Sequence, residues 1–87
     1  MASNTVGEEW RRALVLLECY ELEWDSLYDQ RHKLTVSERI SIEMNLESIQ
    51  HFAAANYTNP NRISEFYTLY ERIAVQFHLA VMKMKHP

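Results

Sequence analysis

The sequence predicts an all-α fold, an up-down-up three-helix bundle, on three observations. Helix-start signals divide the chain into three stretches, and apolar residues within each stretch recur at helical spacing. One glycine and two prolines in 87 residues leave little material for the turns of a small all-β fold. A single helical domain over residues 1–87 is expected, with helices near 5–30, 35–56 and 60–84.

The first helix is expected to open at Thr5-Val6-Gly7-Glu8, a T-x-x-E capping box. In such a box the threonine oxygen accepts from the third amide of the helix, and the glutamate reaches back to the cap amide. Trp10, Leu17 and Trp24 form one heptad row, and Ala13, Tyr20 and Leu27 form the other, flanked by Val6, Leu14 and Tyr28. Two tryptophans on one face offer large burial area, with indole N–H groups that need partners once buried.

The second helix opens at Thr35-Val36-Ser37-Glu38, again T-x-x-E. From Ile40 to Leu46 its apolar residues alternate strictly, which is the pattern of a half-buried strand. The continuation decides against a strand. Ile42, Leu46, Ile49, Ala53 and Tyr57 fall on one helical stripe, while Val36, Ile40 and Met44 fall about 180° away. Two opposed helical stripes interleave into an alternation.

Asn59-Pro60 marks the third start, with asparagine as cap and proline where its missing N–H costs nothing. Ile63, Tyr70, Phe77 and Met84 lie seven apart, with Phe66, Ile73 and Ala80 interleaved and Tyr67, Ala74 and Val81 on the flank. Ten inward residues over three heptads is the pattern of a core-facing helix. The connections, about Arg31–Leu34 and about Tyr57–Thr58, are short enough to make neighbouring helices antiparallel.

Each helix also carries a second stripe that this core does not use: Val15, Cys19 and Leu22 on the first, Val36, Ile40 and Met44 on the second, and Val75, Leu79 and Met82 on the third. Scattered surface hydrophobics are normal. Three stripes at i, i+4, i+7 or similar spacing, on a chain this short, instead predict packing against another chain. A homodimer would also relieve the small core that 87 residues can build.

Composition narrows the functional classes. The net charge is −3, and Glu8, Glu9, Glu18, Glu21, Glu23, Asp25 and Asp29 all fall in the first third. A polyanion ligand needs a basic face, and the nine lysines and arginines are spread over all segments, so nucleic acid is not the expected partner. No basic and apolar leader opens the chain, and its longest apolar run is Ala13–Leu17, so a cytoplasmic protein with no membrane partner is expected. Cys19, the only cysteine, excludes an intrachain disulfide and fits a reducing compartment.

Chemistry has few footholds. Glu43, Glu47 and His51 share one flank of the second helix, but one helix supplies too few ligands for a metal. Cys19 has acidic neighbours, which disfavour a thiolate, and neither His32 nor His78 has a triad partner in the sequence. The Asn56-Tyr57-Thr58 sequon is read as a chance match, and the basic Lys83–His86 end complements the helix dipole. No enzyme activity, cofactor or metal is therefore expected.

The expected function is a non-enzymatic protein-binding module: an adaptor, a chaperone-like protein or a stoichiometric inhibitor, possibly of a nucleic-acid enzyme. Its binding residues would be the apolar stripes, with Glu18, Glu21 and Asp25 steering a basic partner. The alternative is a small helix-turn-helix transcriptional regulator, with Arg39, Arg62 and Arg72 as phosphate contacts.

Overall fold

A computed structural model describes the backbone of residues 2–85 and the side chains of residues 7–85. Its elements run α1 (Ala2–Ser26), a 3-10 helix (Tyr28–Lys33), α2 (Val36–Asn56), a 3-10 turn (Pro60–Arg62) and α3 (Ile63–Lys85). No strand occurs among the described residues. The Val6 and Thr5 side chains and the terminal His86, all assigned roles from the sequence, lie outside the described set.

The direction of each helix follows from its cross-links. Trp10 packs edge-on against Phe66 and Trp24 packs against Phe77, so α1 and α3 run the same way. Lys83 near the end of α3 pairs with Glu38 at the start of α2, 2.7 Å apart, so α2 runs against α3. The result is an up-down-up bundle about 50 × 18 × 17 Å in extent. One contiguous cluster fills its axis, built from Trp10, Ala13, Leu17, Trp24 and Leu27 of the first segment, Ile42, Leu46, Ile49 and Ala53 of α2, and Phe66, Ile73, Phe77, Ala80 and Met84 of α3.

The α2 start is as the sequence predicts. Thr35 Oγ1 accepts from the Glu38 amide at 3.1 Å, and the Thr35 amide donates to Glu38 Oε1 at 2.9 Å. Asn59 also acts as a cap, its side-chain oxygen accepting from the Asn61 amide at 3.1 Å, but the turn it opens is 3-10 before α3 begins at Ile63. Trp10 Nε1 donates to the Asn59 carbonyl at 3.3 Å, which supplies the partner its buried ring requires.

Three expectations need correction at α1. The helix begins at Ala2, so Thr5 lies within it and does not cap it. A cap residue has non-helical backbone, and the chain through Ser3 and Asn4 is already helical. At the other end α1 stops at Ser26, and residues 28–33 tighten into 3-10 geometry. The tighter winding directs Leu27 and Leu34, seven residues apart, into the same core. Leu34 falls in a connection by sequence, yet the structure buries it. Finally, Leu14 and Tyr28, expected to flank the core, are exposed, Leu14 over the seam between α1 and α2 and Tyr28 in the 3-10 segment; Tyr57, expected at the end of the inward α2 stripe, is exposed over the same seam.

Candidate functional site

The polar cross-links of the bundle are distributed unevenly. Across α2 and α3, Asn45 Nδ2 donates to Gln76 Oε1 at 2.6 Å, and Gln76 Nε2 donates to Ser41 Oγ at 2.6 Å. The Lys83–Glu38 pair continues the same seam. Across α1 and α2 the corresponding link is Gln50 Nε2 donating to Glu21. The α2–α3 seam is stitched by side chains, and the α1–α2 seam is mostly open.

Two grooves follow one another along that open seam. The first, about 490 Å³, has Trp24 and Leu46 at its base and Glu21, Asp25, Glu43, Glu47, Gln50 and His51 around it. The second, about 380 Å³, is lined by Gly7, Trp10, Arg11, Leu14, Val15, Glu18 and Tyr57. The sequence treats the acidic row of α1 and the Glu43-Glu47-His51 flank of α2 as separate features. The structure brings Glu21, Asp25, Glu43, Glu47 and His51 to one groove, because α1 and α2 pack antiparallel with these flanks facing each other.

These groups do not form a metal centre. Among the described residues no three of His, Cys, Asp or Glu converge on one point. His51 and Glu47 pair at 3.6 Å as an i, i+4 couple with both side chains largely in solvent. Asp25 lies 3.7 Å from Arg31. The groups line a trough at helical intervals, which suits an extended ligand better than an ion.

The outward stripes fall as follows. On α1, Val15, Cys19 and Leu22 are exposed, with Leu22 at 63%. On α2, Val36, Ile40 and Met44 are exposed, and together with Ser37, Ser41 and Asn45 they line a third surface depression. On α3, Val75, Leu79 and Met82 are exposed, with Leu79 at 62%. Glu18 and Asp25 are exposed and Glu21 is half-buried. The three stripes stay on three separate helices; only Val15 joins a groove of the α1–α2 seam. Leu14 and Tyr57, missed as surface residues by sequence reading, join it there.

The arginines proposed for phosphate contact are partly occupied within the chain. Arg62 pairs with Glu65 at 3.0 Å and lies over the Phe52 ring at 5.3 Å. The Arg39 Nε is buried, while Arg72 is exposed. Two groups have shifted titration. Glu38 is held at about 2, below its ordinary 4.5, chiefly by the hydrogen bond from Lys83 and then by the Thr35 amide. Tyr70 is pushed up by burial and by its hydrogen bond with Tyr20, which keeps it neutral in an aromatic layer with Phe66.

No helix among the described residues is long and apolar enough to cross a membrane. Set against protein-family models, curated proteins and solved structures, the chain matches none of them.

Proposed function

We propose that this chain is a non-enzymatic protein-binding module that acts by masking a surface of its partner. The observation that carries the reading is the exposure of apolar side chains at helical intervals on all three helices, outside the one core the bundle builds. Single exposed hydrophobics need no explanation, but ordered rows of them on a small chain supply the desolvated centre of an interface. The carboxylates of α1 add selectivity and attract a basic partner from a distance. Adaptor, chaperone-like and inhibitory roles, including inhibition of a nucleic-acid enzyme, use this same mechanism in a cytoplasmic setting.

The α3 stripe of Val75, Leu79 and Met82 is the proposed route to a homodimer, since it is a row of exposed apolar side chains that a two-fold meeting of identical faces would cover. The helix-turn-helix alternative fits the geometry less well. Such a reader needs its two helices crossed at about 90–120°, and here α2 and α3 lie antiparallel with cross-links from Glu38 to Asn45.

Sedimentation equilibrium, with mass-spectrometric identification of proteins captured from the native host, tests the reading. Wild type is expected to self-associate or retain a defined protein, and Leu79→Asp is expected to lose that association while keeping its helical circular dichroism. A wild-type chain that stays monomeric and retains nothing beyond what Leu79→Asp retains would remove the proposal.

A further inference from the structure

We infer that the α1–α2 seam is a docking trough for a basic, amphipathic helix of another protein. This deepens the protein-binding reading and rests on it, because it names one surface and the chemistry of its occupant. Three properties of the seam point to that occupant.

Length comes first. From Gly7 to Asp25 the two grooves follow α1 through 18 residue steps, or about 27 Å at 1.5 Å per residue. That is the length of an equally long helix lying alongside, the geometry of a helix seated in a groove between two others. Gly7 leaves that end unwalled: a Cβ added there meets nothing within 4 Å.

The base of the trough is the second property. Buried Trp10, Trp24 and Leu46 form its floor, and the exposed side chains of Leu14, Val15 and Tyr57 give an apolar stripe a surface to cover. A partner can lie on this surface without parting the helices, whose core residues stay packed beneath it, and Gln50–Glu21 is the side-chain hydrogen bond it would cross.

Charge selects the occupant. Glu18, Glu21, Asp25, Glu43 and Glu47 stand along the walls, against Arg11 and the imidazole of His51. Lysines or arginines flanking the apolar stripe of a docked helix would meet carboxylates on both sides. A second copy of this chain meets the opposite condition. A two-fold interface places the same face on both sides, and five carboxylates would face five more. The trough therefore favours a partner of opposite charge over self-association.

The test uses a designed 18-residue peptide without tryptophan, bearing a leucine stripe flanked by lysines, and a counterpart with glutamate at every lysine position. Trp10 and Trp24 each line one groove, so intrinsic emission reports occupancy of both, and titration calorimetry gives the stoichiometry. The lysine peptide is expected to bind one-to-one, to weaken about tenfold or more with Glu18→Lys/Glu43→Lys, and to weaken with Leu14→Ser, which leaves the charge unchanged. Raising the salt to about 0.5 M should weaken it further, as screening shortens the reach of exposed charges. Equal binding of the glutamate peptide, binding by Glu18→Lys/Glu43→Lys at wild-type strength, or no binding of either peptide would each overturn the inference. A natural partner lost with Leu79→Asp but kept with Glu18→Lys/Glu43→Lys would overturn it while leaving the protein-binding reading in place. Absence of any partner would remove both.

Discussion

The Arg31 guanidinium lies 4.1 Å from the centroid of the Trp24 ring, across the point where α1 gives way to the 3-10 segment. The same group donates to the Trp24 carbonyl and stands near Asp25, and its side chain is only 11% exposed. It thus satisfies a carbonyl left unpaired at the helix end and covers a buried indole with a cation. Tyr28 holds the other side at 5.3 Å. The charge sits at the negative end of the α1 dipole, which adds to the attraction. No spacing rule in the sequence marks this arrangement, because it depends on the 3-10 winding that returns residue 31 to residue 24.

Replacing Arg31 should therefore test the joint. Arg31→Ala is expected to cost about 1–3 kcal/mol, from the lost charged hydrogen bond and the lost cation–π contact. Arg31→Lys should recover only part, since an ammonium cannot stack flat on the ring while donating to the carbonyl. Urea unfolding followed by tryptophan emission measures both, and full recovery by lysine would show that charge alone matters.

Glu38 links the α2 cap to the end of α3, and its pH dependence follows from its depressed titration. A carboxylate held at about 2, against an ordinary 4.5, favours the folded state at every pH above the ordinary value. That contribution declines as pH falls from 4.5 towards 2, because the folded state must then accept a proton its Lys83 partner opposes. Glu38→Gln should flatten the stability curve over this acid window and leave its shape above pH 5 unchanged. Thermal melts across pH 2–6 would show it, and an unchanged acid slope would contradict the assignment.

Phe77 is packed on Tyr20 at 5.0 Å and on Trp24 at 5.7 Å, with 2% of its surface exposed. Phe77→Ala should cost about 3–5 kcal/mol, the lost transfer energy plus the cavity left behind. For a chain of 87 residues that approaches the whole stability of the fold, so Phe77→Leu is the useful companion, with a smaller loss. A loss under about 1 kcal/mol for the alanine variant would contradict the core assignment.

Gln76 joins Asn45 and Ser41 across the α2–α3 seam, donating to one and accepting from the other. Gln76→Ala should cost about 1–2 kcal/mol, because both partners lose a half-buried hydrogen bond. Ser41→Ala combined with Gln76→Ala should cost less than the sum of the two alone, since the second change removes a group the first has already orphaned. Additive losses in that double-mutant cycle would show that the bond contributes nothing to stability.

Much of the bundle is legible in the sequence, for reasons that stay local. The Thr35–Glu38 box forms from residues three apart, so its geometry is fixed by the α2 backbone alone. The apparent strand over Ile40–Leu46 resolves into a helix because the periodicity continues to Ala53, beyond the reach of an alternating pattern. The core of α3 reads directly from its heptads, with Phe66, Ile73, Phe77, Ala80 and Met84 all buried.

What fails is local pattern without a tertiary partner. Thr5-Val6-Gly7-Glu8 has the composition of a cap, yet the helix already runs through it, since a T-x-x-E sequence is compatible with a helix interior as well as a start. Leu14 and Tyr57 belong to the apolar periodicity of their helices but face a seam that never closes over them. Hydrophobic spacing assigns a residue to a face; it does not say how wide the neighbouring helix makes that face.

The division for this protein is clear along those lines. The sequence by itself determined three helices, their order and the existence of apolar rows beyond one core, because caps and periodicity act within a turn or two of the chain. Only the tertiary structure decided which seam is stitched and which is open. Whether Gln76 meets Ser41, or Glu21 and Glu43 share a groove, depends on helix rotation and offset, and those are set by how the rings of Trp10, Trp24, Phe66 and Phe77 fit together.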